Sequence, residues 1–547
     1  MRVLHACVLT VLALACGMQA DAARRMEGTA GRTAATQTMT GRLELVWGDP
    51  GAAAKASQGP ASQGPGERFH VTLVDDAGGR HALDPDQALH AADDLYALYG
   101  RRIAVSTTTA RAKTGGRAVR VIDAIVPIDD LADDLVPASS ASRTRVSARA
   151  PAQGGQKITG VTSWVTLMCK FSDIATEQKT LSFFQSQYGT GIGQLDHYWQ
   201  EVSYGQINLA GSMAYGWASL PEPRSIYVTK DEAGKDKADL GKLFTDCIAA
   251  HDANVDFAVN GGVQGVNMMF NGDLDGFAWG GSRCALLDGV NKCWSTTWNP
   301  PWSFGNLAPL SHEMGHAYGL PHANNADADS DPYDNPWDVM SDAWNNAVSN
   351  ATYGSLPKHI SVYSRNRLGW VAAARKRTIV AGAGVASVSM DRISLPGSSN
   401  TQMMVLSYPE QSTRYYTVEV RKRGGNYENR LAGDAVIIHE VLTSRKEPAW
   451  SMDADTPPAN RANNEGSMFK VGETWISPDY AFRVKVESQT SEGFVVTVRP
   501  TPRTGGPAQS AQTPATAKPA SDAVSAPAGS LPGRSEPRDT GRLGERR

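Results

Sequence analysis

The sequence predicts an α+β chain whose central segment mixes helices and strands and is flanked by β-rich segments on both sides. Three observations predict it. Residues 160–370 carry helical and strand periodicities in turn. Residues 372–500 carry short alternating runs separated by turn residues, and residues 40–125 carry mostly strands. The length, 547 residues, exceeds the roughly 250–300 residues at which single cores stop growing.

The elements follow in order. TGRLELVWGDP (40–50) and FHVTLVDD (68–75) alternate apolar and polar positions, as half-buried strands do. Between them ASQGP occurs twice in tandem, a composition that cannot bury a core and reads as a disordered insertion. DPDQALHAADDLYALYG reads as helical, and RRIAVSTTT and RAVRVIDAIVPI as strands. Residues 136–157 are small, polar and basic, with Arg143, Arg145, Arg149 and Lys157, and read as a linker open to proteolysis.

In the central segment GVTSWVTLMCKF and VQGVNMMFN read as strands. TEQKTLSFFQSQYG, IGQLDHYWQEVSYG, ADLGKLFTDCIAAHD and LAPLSHEMGHAYG read as helices. The stretch before the last helix, rich in Gly, Trp and Pro, reads as irregular. RYYTVEVRK, AVIIHEVL, AFRVKVES and GFVVTVRP then predict a β-sandwich. The expected organisation is a signal peptide at 1–22, a β-rich N-terminal domain at 23–135 that could be a pro-domain, and a linker at 136–157. A catalytic domain at 158–372, a β-sandwich at 373–500 and a disordered tail at 501–547 complete it.

Charge narrows the partners. Lys and Arg number 53 against 56 Asp and Glu, a formal net charge of −3. No overall basic field exists for nucleic acid, so no nucleic-acid partner is expected. Arg2, an uncharged run over 6–18 and the small-x-small Ala20-Asp21-Ala22 form a secretory signal pattern. The run is shorter than the roughly 20 residues of a bilayer span, and no later stretch supplies one. The expected location is therefore secreted. A lipoprotein anchor at Cys16 and periplasmic retention are the alternatives, although Ala13 stands where lipoproteins carry a large aliphatic residue.

Export places Cys169, Cys247, Cys284 and Cys293 in an oxidising space, where four Cys allow three pairings. Locality favours Cys284 with Cys293, leaving Cys169 with Cys247; free core thiols are the alternative.

The chemistry is concentrated in His312-Glu-Met-Gly-His316-Ala-Tyr-Gly319-Leu-Pro-His322. His312 and His316, four apart on a helix, project from one face and can share a metal. Gly319 can take the left-handed conformation that ends a helix. The chain then doubles back and brings His322 to the same ion. Three neutral imidazoles leave a fourth position of a tetrahedral Zn²⁺ open to water, as in a catalytic site. Glu313, beside the first ligand, can take the proton of that water.

HExxHxxGxxH is the signature of the metzincin zinc metallopeptidases, which the chain resembles over most of 160–370. Asn335-Pro-Trp-Asp-Val-Met340-Ser looks like the Met-turn of that family. YWQEVSYGQINLAG, HEMGHAYGLPH and WDVMS resemble the gametolysin-type branch and its bacterial relatives, and the β-rich segment from RLGW to 500 looks like the domains that accompany those catalytic units. The resemblance implies a metzincin-type catalytic fold, a mixed sheet with an active-site helix. It implies hydrolysis of internal peptide bonds, with one catalytic Zn²⁺ on His312, His316 and His322, Glu313 as general base and proton donor, and Met340 as support. Extended protein or peptide substrate would pair with an edge strand, for which residues 274–281 are the candidate.

The chain departs from relatives at several points. Asp342 stands where some metzincins place a Tyr, so Tyr353 and Tyr363 are unranked candidates for transition-state support. Ala323 follows the third His, where several branches carry Asp, Glu or Ser. No Cys lies between 17 and 168 to silence a metal from the N-terminal side. Asp49, in WGDP, reads as a turn residue, with an aspartate plug as the alternative. The acidic run Asp327, Asp329, Asp331, Asp334 is a weak Ca²⁺ candidate without a known loop spacing, and a solvated loop is the simpler reading.

Two functions are therefore in play. One is a secreted zinc metalloendopeptidase whose N-terminal domain is removed near 143–157. The other is a binding protein for a cell-surface or cell-wall glycoprotein that keeps a protease-like scaffold. Completeness of the three His and Glu313 weighs toward the enzyme. Both can hold together if the C-terminal β domain is a targeting module.

Overall fold

The computed structural model describes residues 36–51, 68–110, 119–128, 157–259, 262–327, 331–455 and 465–501. The signal segment, the ASQGP repeats, the linker up to residue 156, Asp329 and the tail beyond 501 lie outside the described residues.

The structure is mixed and strand-rich. The N-terminal segment forms β1 (Thr36–Pro50), β2 (Arg68–Asp75), β3 (Arg80–Leu83), helix α1 (Pro85–Ala91), β4 (Arg102–Ala110) and β5 (Val119–Pro127). Asp84 caps α1 by accepting from Gln87 N–H, and Pro85 sits at the helix start where its missing N–H costs nothing.

The central segment contributes β6 (Trp164–Lys170), α2 (Leu181–Gln187), α3 (Leu195–Val202), β7 (Met213–Ser219), α4 (Leu240–His251) and β8 (Gly265–Phe270). It continues with β9 (Phe277–Leu287), β10 (Val290–Asn299), α5 (Leu307–Ala317), β11 (Ala323–Asn325) and α6 (Val362–Arg367). Part of the stretch that reads as irregular is in fact the β9–β10 hairpin. Its Trp279, Trp294 and Trp298 are buried, and aromatic residues favour strands when they can pack against a core.

These two segments share one ten-stranded sheet in the order β3-β2-β1-β9-β10-β8-β6-β7, with β4 on β1 and β5 on β4. β1 is its seam. Residues 46–50 pair antiparallel with β9, Val46 opposite Gly281 and Pro50 opposite Phe277, while the other side of the strand pairs with β2. The alternation in 40–50 predicts one solvated face, yet from Leu43 onward β1 is buried on both. Leu43, Leu45 and Trp47 enter the N-terminal core with Phe69, Leu73 and Tyr96, and Val46 enters the central core with Leu167 and Trp279. Glu44 is buried as well and ties the seam together, accepting from Arg80 and from Cys284 N–H at 2.9 Å.

Two disulfides hold the central segment. Cys169–Cys247 links β6 to α4, and Cys284–Cys293 crosses the β9–β10 hairpin. No helix among the described residues is long and apolar enough to cross a membrane.

The C-terminal segment forms β12 (Lys376–Val380), β13 (Ala386–Asp391), β14 (Met403–Tyr408), β15 (Gln411–Arg421), β16 (Ala435–Leu442), β17 (Ala449–Ser451), β18 (Thr474–Ile476), β19 (Phe482–Gln489) and β20 (Gly493–Pro500). A four-stranded sheet, β13-β20-β19-β18, and a six-stranded sheet share a core that includes Val418, Ile438, Val484 and Val496. The six-stranded sheet runs β11-β17-β16-β15-β14-β12, so its first strand comes from the central segment.

Candidate metal centre

Helix α5 carries His312 and His316 one turn apart, both buried. Its end is built as the spacing predicts. Gly319 has φ +87°, its N–H reaches His316 O at 2.8 Å, and Leu320 N–H turns back to Gly315 O at 3.0 Å. The reversal brings His322 against the helix. The three Nε2 atoms then lie 3.0 Å (His312–His316), 3.0 Å (His316–His322) and 3.2 Å (His312–His322) apart.

The opposite ring nitrogens explain what this convergence means. His312 Nδ1–H donates to Val339 O at 2.6 Å, and His316 Nδ1–H donates to Leu320 O at 2.7 Å. Each neutral ring has one proton, so both Nε2 atoms are bare acceptors. Bare lone pairs 3.0 Å apart repel unless a cation sits among them. The donor set therefore fits a metal ion, with backbone carbonyls fixing the tautomers as is usual behind metal-bound imidazoles.

Asp49 completes the group from the N-terminal side. It stands in β1 rather than in a turn, opposite Ala278. Its carboxylate lies 2.7 Å from His322 Nε2 and 3.3 Å from the Nε2 atoms of His312 and His316. Burial alone would raise the Asp49 carboxyl, but His322, 2.7 Å away, holds it well below the usual range. Burial holds His316 down at about 3, so its ring stays neutral and able to bind a metal. Among the described residues, Asp49, His312, His316 and His322 form a buried group able to hold a metal ion. Trp47, two residues before Asp49, stacks on the His316 ring at 4.8 Å between centroids.

Other predicted residues fall into place around this group. Glu313 is buried and lines a narrow cleft with Asp49, Pro50, Trp302, Tyr333 and Trp344. Met340 packs its sulfur against Gly315, where a Cβ would collide with it, which explains the glycine between the two helical His residues. The 274–281 stretch lies against the site, but residues 277–281 are already paired with β1. Tyr353 and Tyr363 are elsewhere: the Tyr353 hydroxyl donates to Ser186 Oγ at 2.9 Å, and the Tyr363 hydroxyl faces Arg367.

Sequence reasoning missed Tyr333. Its ring meets His322 edge-on at 5.2 Å, and it lines the same cleft as Glu313. No local pattern marks it. A separate cavity of about 420 Å³ opens beside the end of α5, among Arg42, Lys157, Lys292 and Arg367; none of the three imidazoles lines it.

Comparison with protein-family models returns no match, and comparison with curated proteins returns none either.

Proposed function

We infer that the protein is a zinc-dependent metalloendopeptidase of metzincin type, exported from the cell and held latent by its own N-terminal strand. The observation that carries this reading is the convergence of the His312, His316 and His322 Nε2 atoms beside a buried Glu313. Three imidazoles and no thiolate suit Zn²⁺ in a catalytic rather than a closed structural site. The two disulfides fit an oxidising compartment.

In the active form His312, His316 and His322 would hold the ion, which would supply Lewis-acid polarisation of the scissile carbonyl and a water of lowered pKa. Glu313 would serve as the general base and then as the proton donor. Phe277 to Gly281 of β9 hold an extended substrate by antiparallel pairing. The tautomers of His312 and His316 are kept by Val339 O and Leu320 O throughout.

In the uncut chain β1 pairs with that edge and places Asp49 against the three imidazoles. Removal of the N-terminal segment by cleavage within 143–157 would free the edge and take the carboxylate away together.

The test is casein cleavage by purified protein before and after trimming near Arg149, with and without a zinc chelator, and with zinc measured on the same sample. Chelator-sensitive cleavage that appears on trimming, with one zinc per chain, supports the reading. Zinc-loaded, trimmed protein that cleaves nothing overturns it in favour of a binding protein on a protease-like scaffold.

A further inference from the structure

Resting on the reading of the imidazole group as a metal site, we propose that the C-terminal β domain is a working part of that site, with His439 and Arg421 as positioning residues. The third imidazole has no helix beneath it. It is followed at once by β11, which pairs in parallel with β17: Ala323 opposite Ala449, Asn324 opposite Trp450, Asn325 opposite Ser451. Ala326 N–H extends the ladder to Ser451 O at 3.0 Å. On its other side Ala323 N–H donates to Met340 O at 3.0 Å. The strand that delivers His322 is thus clamped between the Met340 turn and the C-terminal sheet.

Asn335 locks these three pieces together. Its Nδ2 donates to Asn324 O at 3.0 Å and to His439 Nε2 at 3.3 Å, and its Oδ1 accepts Trp337 N–H at 3.0 Å. The same turn supplies Val339 O, which orients His312, and Met340, which packs on Gly315. The C-terminal domain grips that turn at two further points. Arg421 donates to Trp337 O and is itself held by Glu419 and Glu428. The Trp337 indole donates to Ser467 Oγ at 3.0 Å. Asn335, Trp337, Arg421 and His439 are all fully buried, so water cannot replace these bonds.

Two of the three imidazoles therefore take their orientation through the C-terminal domain: His312 through the turn that Arg421 holds, and His322 through β11. Loss of groups that orient metal ligands commonly weakens metal affinity by about 10–100-fold.

The experiment measures zinc affinity by chelator competition, and the visible spectrum of the Co²⁺-loaded protein, on the full chain. The variants are His439→Ala, His439→Gln, Ser467→Ala and Val484→Ala. His439→Ala is expected to weaken zinc binding by about 10-fold and to shift the Co²⁺ spectrum. His439→Gln, whose side-chain oxygen can still accept from Asn335, is expected to restore both. Val484→Ala, buried in the core between the two C-terminal sheets and making none of these junction hydrogen bonds, is expected to lower thermal stability and leave both readouts unchanged. If His439→Ala does not fold, the milder Ser467→Ala decides on the same readouts. Wild-type affinity and spectrum in the folded junction variants would overturn this inference alone. A wild-type chain that takes up no metal would overturn the metal reading, and this inference with it.

Discussion

The Asp49 carboxylate lies 2.7 Å from His322 Nε2, although 273 residues separate the two in the chain. The contact depends on β1, whose pairing with β9 through Gly48 and Asp49 opposite Trp279 and Ala278 sets how far the carboxylate reaches. Trp47, buried and stacked on His316, anchors the strand one pleat away. The N-terminal segment thus meets the imidazole group with a backbone ladder, an aromatic anchor and a carboxylate at once.

Asp49→Ala in the uncut chain removes the ligand and leaves the ladder. Without the carboxylate's contact to the imidazole group the strand opens more often, and basal peptide cleavage is expected to rise by about 10-fold, the equivalent of roughly 1.4 kcal/mol. Initial rates on a quenched-fluorescent peptide, taken before any chain cleavage is visible on a gel, check this. Rates equal to wild type would show that the strand alone blocks the site.

Glu313→Gln keeps the volume and shape of the side chain and removes the base. In trimmed protein, zinc content is expected to stay at one per chain while turnover falls by about 100–10,000-fold. Retained turnover in metal-replete Glu313→Gln would sink the general-base assignment.

Burial holds His439 down at about 4. An unfolded His takes a proton near about 6.5. Between those values the unfolded chain binds the extra proton and the folded chain does not, so stability falls as pH falls through this window and levels off below it. The contribution is about 3 kcal/mol at most. Urea midpoints measured between pH 7.5 and pH 4 are expected to fall less steeply in His439→Gln than in wild type. Parallel curves would show that this ring does not titrate on unfolding.

Deleting residues 375–547 tests the idea of the C-terminal domain as a separable targeting module. The deletion strips β17 from β11 and Arg421 from the Met340 turn. The truncated chain is expected to be poorly soluble and to retain little zinc, because it exposes the hydrogen-bonding edge of β11 and leaves the Trp337 carbonyl without its donor. A soluble, zinc-loaded truncation that cleaves small peptides normally would restore the separable-module reading.

Features that depend on short spacing are legible in the sequence. The four-residue spacing of His312 and His316 puts both rings on one helix face, and Gly319 supplies the left-handed turn that returns His322. Alternating or apolar runs marked ten of the twenty strands named above, and the even Cys count matched two disulfides. Tertiary structure decided the rest, because nothing local encodes which distant strand pairs with which. The β9–β10 hairpin reads as irregular because its Trp and Gly residues show a strand only once a core covers them. Asp49 reads as a turn residue because Gly and Pro flank it, and the register of β1 on β9 carries it to the imidazoles instead. Tyr333 and the clamp through Asn335, His439 and Arg421 likewise depend on side chains meeting across long loops. Local periodicity reports which face of an element is apolar; the partner of that face is chosen by the packing of the whole chain.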